Sequence, residues 1–126
     1  MARFLIVDDD VSIIEILTEI LKTEGHEVFS ANNPAEGMQT ARKVKPDMMI
    51  LDYHMPGDTG SHLYESFRRN NATKTTPILF MSGEADPSQI MAEISDSAGS
   101  RFLPKPVKLE EFRRTIREML AEKPKE

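Results

Sequence analysis

The stretch Phe4-Leu5-Ile6-Val7-Asp8-Asp9-Asp10 runs through four apolar residues and stops at three consecutive carboxylates. An apolar run without alternation reads as a strand buried on both faces, and the acids mark the edge where it ends. Directly after it, between residues 11 and 24, Ile13, Ile16, Leu17, Ile20 and Leu21 recur at helical spacing before Gly25 supplies a stop. A buried strand therefore feeds a helix.

The same alternation continues down the chain. Residues 27–31 form a short second strand, and Asn33-Pro34 reads as an N-cap followed by proline at the first helical position, opening a helix to about Lys43. Met48-Met49-Ile50-Leu51 is a third strand, introduced by Pro46-Asp47 and closed by Asp52. Residues 54–60 concentrate turn formers and read as loop before a helix at about 61–69. Residues 77–81 give the fourth strand, ending at Ser82-Gly83. Asp86-Pro87 repeats the cap-and-proline signal for a helix at about 88–97, and residues 101–103 form a short fifth strand. Pro104-Lys105-Pro106 leads into a last helix at about 109–121. Residues 122–126 read as a charged, frayed tail, so the expected domain is 1–121. Five strands alternating with five helices predict one doubly wound α/β domain, with a parallel sheet covered on both faces by right-handed crossovers.

Composition narrows the function classes. A chain of 126 residues with 39% hydrophobic content suits a single core. The absence of cysteine excludes disulfides and thiolate metal sites and fits a reducing, cytoplasmic setting. No apolar run approaches the roughly 20 residues that span a bilayer, so no membrane association is expected. A net charge of −5 argues against direct nucleic-acid binding, which needs clustered Lys and Arg.

Open parallel sheets bind ligands outside the carboxyl ends of their strands, where the strand order reverses. The residues ending the expected strands are Asp8, Asp9, Asp10, Asp52, Ser82 and Lys105. Carboxylates crowded into one cleft call for a cation, and hard oxygen donors without Cys or His neighbours favour Mg²⁺. Aspartate is also a competent phosphoryl nucleophile. Lys105 can offset charge on a transferred phosphoryl group, and the Ser82 hydroxyl can donate to it.

Taken in order, Leu5-Ile6-Val7-Asp8-Asp9-Asp10, Ile50-Leu51-Asp52-Tyr53-His54-Met55-Pro56-Gly57, Phe80-Met81-Ser82-Gly83 and Phe102-Leu103-Pro104-Lys105-Pro106 strongly resemble the receiver domain of response regulators in two-component signalling. The resemblance covers essentially the whole chain. It implies a flavodoxin-like, CheY-like (βα)5 fold with strand order 2-1-3-4-5. By the same resemblance, Asp52 is the phosphoacceptor, served by a histidine kinase or a histidine phosphotransfer protein, and the domain catalyses only its own phosphorylation and slow dephosphorylation. Mg²⁺, replaceable by Mn²⁺, would be held by Asp9, Asp52 and the His54 backbone carbonyl, with Asp8 acting through a metal-bound water. Phosphorylation would draw in Ser82 and rotate Phe102 inward. The change would spread over the face of the expected fourth helix, the fifth strand and the last helix, where relatives dock partners or form phosphorylation-dependent homodimers. A cis peptide between Lys105 and Pro106 is implied as well. His54 and Glu84 stand where family members flank the water route to the acyl phosphate, and are expected to tune its lifetime.

Other residues have plainer readings. Asp10 before Val11 reads as a helix N-cap. Met48, Met49 and Met81 read as strand core, His26 and His62 as surface residues, and Arg113, Arg114 and Arg117 as a solvated helix face. Ala98 stands where many relatives carry the Gly that leaves the fourth helix, and Thr59 where an Asp often precedes the third; Thr can still cap. Two other functions share the fold or the nucleophile. One is an interaction module that is never phosphorylated. The other is a Mg²⁺-dependent aspartyl phosphatase, disfavoured because such enzymes commonly carry the nucleophile on the first strand with a second aspartate two residues on, and need room for a substrate cap.

Overall fold

The computed structural model describes residues 2–55, 58–83 and 99–122, and for residues 54, 55 and 58–62 it describes the backbone alone. The expected helix at 88–97, together with Glu84 and Ala98, lies outside the described residues. The element order is β1 (Arg3–Val7), α1 (Val11–Thr23), β2 (Glu27–Ala31), α2 (Pro34–Val44), β3 (Met48–Asp52), α3 (Gly60–Arg69), β4 (Ile78–Ser82), β5 (Ser100–Pro104) and α4 (Leu109–Glu122). The five strands form one all-parallel sheet in the order β2-β1-β3-β4-β5. The order reverses between β1 and β3, which puts the switch point at the ends of those two strands.

Period-two alternation sorts the strand side chains into two cores. Leu5, Val7, Met49, Leu51, Ile78 and Phe80 face Ala41 of α2 and Leu63, Tyr64 and Phe67 of α3. Phe4, Ile6, Met48, Ile50, Leu79 and Met81 face Leu17 and Leu21 of α1 and Phe112, Ile116 and Met119 of α4. Both faces of the central strands are thus dry, which explains the unbroken apolar runs. The three methionines sit in these cores, as their sequence setting suggests.

Local signals set the helix ends. Asp10 caps α1, its carboxylate accepting from Ser12 N and Ile13 N. Asn33 caps α2 by accepting from Glu36 N at 2.9 Å, with Pro34 next. The chain leaves α1 through Gly25, whose φ of +88° lies where only glycine is unstrained. No helix among the described residues is long and apolar enough to cross a membrane.

Four expectations need correction. Within the segment read as loop, His54↔Thr59 and Met55↔Asp58 pair as a two-residue antiparallel ladder, and α3 begins at Gly60. Turn-forming composition signals a chain reversal, but not whether the backbones flanking it pair. Glu122, read as the first tail residue, is the last residue of α4, because Arg101 on β5 holds its carboxylate at 2.7 and 2.8 Å. The fifth strand also gains a residue at each end, since a parallel partner extends it beyond its apolar core: Ser100 pairs with Ile78, and Pro104 with Ser82. His26, read as a surface residue, is half-buried against the Phe4 ring at a centroid distance of 4.9 Å.

Candidate functional site

The site is assembled from three strand ends. β1 and β3 are direct neighbours, in register from Phe4↔Met48 to Val7↔Leu51, so Asp8 and Asp52 emerge side by side. Asp52 continues the alternation of Met48 and Ile50 within β3, and Asp8 follows Phe4 and Ile6. Both carboxylates are buried, at 1% and 5% exposure. Asp9 is exposed beside them, and one carboxylate oxygen from each of Asp8, Asp9 and Asp52 lies within 4.8 Å of the others.

Lys105, beyond β5, reaches into this cluster. Its Nζ donates to Asp8 Oδ2 at 3.0 Å and stands 3.6 Å from Asp52 Oδ2. The Lys105 backbone is fixed by its N–H donating to Ser82 O at 3.0 Å, and the Lys105–Pro106 peptide is cis. Burial pulls the Lys105 pKa down, but the hydrogen bond to Asp8 and the charges of Asp52 and Asp8 outweigh it and raise it overall. The ammonium is thereby held charged. Asp8 is further oriented by the Asp10 N–H, which donates to its Oδ1 at 2.9 Å. The Asp10 carboxylate itself is committed to its capping bonds.

Ser82 approaches from the other face. It ends β4 one residue past Met81, the partner of Asp52, and shares the alternation of Ile78 and Phe80. Phe102 pairs with Phe80 across β4 and β5 and packs, partly buried, on that same core. Ser82 and Phe102 thus extend the α2/α3 side of the sheet, opposite the carboxylates. His54 belongs to the short ladder by its backbone, its side chain lying outside the described residues, as Glu84 does entirely.

One feature escaped the sequence reading. Ile13, Ile16, Leu17 and Ile20 look like one buried stripe, yet Ile16 is 57% exposed. With Pro106, Val107, Leu109 and Phe112 they line an apolar groove of about 380 Å³ whose floor is Met81. Helical spacing identifies an apolar face, and cannot tell whether the loop after β5 closes over it.

Known proteins resemble this chain in sequence and fold. A profile of the response regulator receiver domain matches residues 4–117. The chain is 32% identical over 121 residues to protein PilH of Pseudomonas aeruginosa, covering 96% of this chain and 99% of PilH. It superposes on the chemotaxis protein CheY4 of Vibrio cholerae with a TM-score of 0.86 at 31% identity, over 94% of this chain and 98% of that one. A putative response regulator from Chloroflexus aurantiacus gives 0.84 at 34% identity, over 95% and 98% of the two chains. The DNA-binding response regulator MtrA of Mycobacterium tuberculosis is 27% identical over 118 residues, 94% of this chain but only 50% of MtrA. The expectation of no nucleic-acid partner is therefore not borne out, because acidic net charge describes this domain alone while relatives twice its length are DNA-binding regulators. Fold, site geometry and relatives agree that the chain belongs to the response regulator receiver domain family of two-component signalling.

Proposed function

We propose that the chain is a Mg²⁺-dependent phosphoryl switch whose acceptor is Asp52. One observation carries the reading: the Lys105 ammonium sits between two buried carboxylates at the strand-order reversal, 3.0 Å from Asp8 and 3.6 Å from Asp52. A lone carboxylate there would need only a lysine. Three need more positive charge than one lysine offers, and their oxygens are close enough to share one ion. The donor set, all hard oxygen, fits Mg²⁺, with Mn²⁺ able to replace it. Asp9, Asp52 and the His54 backbone carbonyl would hold the ion, with Asp8 acting through water. Bound there, Mg²⁺ supplies charge that offsets the carboxylates and the phosphoryl oxygens.

In the forward step an Asp52 carboxylate oxygen attacks phosphorus. The bond from phosphorus to the donor's imidazole nitrogen breaks, the nitrogen keeps that electron pair, and an acyl phosphate forms. The donor is a histidine kinase or a histidine phosphotransfer protein. Lys105 turns from Asp8 toward a phosphoryl oxygen, and the Ser82 hydroxyl donates to another. Moving Ser82 vacates space that Phe102 fills, changing the face of β5, α4 and the expected fourth helix, where a downstream protein or a second phosphorylated copy docks. In the slow hydrolytic step water attacks phosphorus, the Asp52 oxygen leaves as carboxylate, inorganic phosphate is released, and the water's proton passes to solvent. His54 and Glu84 set that rate from the mouth of the site. The setting is cytoplasmic.

The test is incubation with a small-molecule phosphodonor, with and without Mg²⁺, for the parent chain and Asp52→Asn. Labelling is expected only for the parent with Mg²⁺. Equal labelling of Asp52→Asn removes Asp52 as acceptor, and no labelling of either leaves an interaction module. The lifetime assignment fails if His54→Ala and Glu84→Ala both leave the decay rate unchanged.

A further inference from the structure

The site makes no use of His26, which lies at the opposite edge of the sheet. Its backbone N–H donates to Leu21 O at 3.1 Å, just after the Gly25 turn, and its ring leans on Phe4 at an interplanar angle of 58°. The Ala2 N–H points at the ring and lies 3.2 Å from Nδ1. The Ala2 carbonyl in turn accepts from Glu27 N at 2.9 Å, which forms the first rung between the β1 and β2 segments. A backbone N–H can only donate, so Nδ1 must carry a lone pair and the proton of the neutral ring must sit on Nε2.

We propose that His26 is a pH-sensitive lock on the start of the sheet: its neutral imidazole accepts the Ala2 N–H and holds residue 2 against β2, and protonation releases it. Acid converts Nδ1 to N–H, so that two donors face each other and the bond is lost. Burial favours the neutral ring and lowers its pKa below the ordinary histidine value; the chain's terminal amine acts in the same direction, while Glu24 opposes both. Glu24 is itself held by Arg113 of α4 at 2.9 Å, and at the next rung Arg3 and Glu27 pair with each other at 3.3 Å. A folded-state pKa below the unfolded one gives stability that is full above the unfolded value, about 6.5, and lost as pH falls through the folded one. The ladder that the lock begins ends with Asp8 N donating to Ala31 O at 3.2 Å, next to the carboxylate cluster.

The experiment is NMR of the full chain with Met1 retained, following the His26 ring nitrogens and the Ala2 amide from about pH 8 to 5, a range that brackets the imidazole. At neutral pH the ring is expected as the Nε2–H tautomer, with the Ala2 amide slowed in exchange. On acidification, protonation and loss of that protection are expected to share one midpoint below that of free imidazole. His26→Phe keeps a ring against Phe4 but has no acceptor, so its Ala2 amide is expected to exchange fast at every pH. An Nδ1–H tautomer at neutral pH overturns the proposal, as does an Ala2 amide whose exchange ignores the imidazole titration. Because the tautomer is read on the parent chain, the outcome stands even if the variant folds poorly.

Discussion

Lys105 Nζ lies closer to Asp8 Oδ2, at 3.0 Å, than to Asp52 Oδ2, at 3.6 Å. In this structure the lysine neutralises the strand-one carboxylate first and lies farther from Asp52, the proposed acceptor. Removing the ammonium leaves two buried carboxylates without their counter-charge. Lys105→Met is expected to cost about 1–3 kcal/mol at neutral pH, below the usual range for breaking a buried pair because the lysine is partly exposed. The loss should shrink in alkali, where the parent's lysine is itself neutral. In the parent, the raised lysine pKa gives stability that is present below the unfolded lysine value, about 10.4, and lost as pH rises through the folded one. Urea unfolding of both chains across pH checks both signs.

Adjacent acids should separate by task. Asp10→Ala removes the acceptor of two α1 N–H groups and should cost about 0.5–2 kcal/mol of stability, leaving Mg²⁺ affinity nearly unchanged. Asp9→Asn removes a donor from the cluster and should weaken Mg²⁺ by about tenfold or more, at least ~1.4 kcal/mol, with little effect on unfolding. Calorimetric Mg²⁺ titration beside thermal melts distinguishes the two.

Two glycines should respond differently to one methyl group. A Cβ on Gly37 of α2 would stand 2.9 Å from Val7 Cγ2, so the buried Val7 side chain or the packing of α2 on β1 must shift. Gly37→Ala is expected to destabilise by about 1–3 kcal/mol. A Cβ on Gly83 would meet Lys105 Cβ at 3.6 Å, ordinary contact. Gly83→Ala should therefore stay within about 0.5 kcal/mol. Chemical denaturation midpoints give both values.

The α1 stripe should likewise divide. Leu17 is 3% exposed, and Leu17→Ala should cost about 2–5 kcal/mol. Ile16, more than half exposed at the lip of the groove, should tolerate Ser with a loss of about 0.5 kcal/mol or less. Equal losses would mean that the groove is closed in solution. Thermal melts of the two variants decide it.

The fold was legible because its central strands are buried on both faces, so Phe4–Val7 and Met48–Leu51 announce themselves without alternation, and Asp10, Asn33 and Gly25 punctuate the helices. The convergence of Asp8, Asp52 and Lys105 was legible because parallel strands deliver their terminal residues to one edge. Relations that depend on distance between separate segments were not legible. The preference of Lys105 for Asp8, the hold of Arg101 on Glu122 and the exposure of Ile16 all arise from tertiary placement, which local pattern does not encode. The Asp10 cap is the contrasting case, since its partners lie two and three residues away.

Borohydride trapping addresses the central claim, phosphorylation of Asp52, most directly. Reduction of an aspartyl phosphate releases phosphate and converts that aspartate to homoserine, which peptide mass spectrometry locates. After treatment with a small-molecule phosphodonor and Mg²⁺, homoserine is expected at position 52 and nowhere else, and is expected to vanish when Mg²⁺ is withheld. Homoserine at position 8 or 9 instead, or unmodified Asp52 under conditions that label the chain, would contradict the assignment.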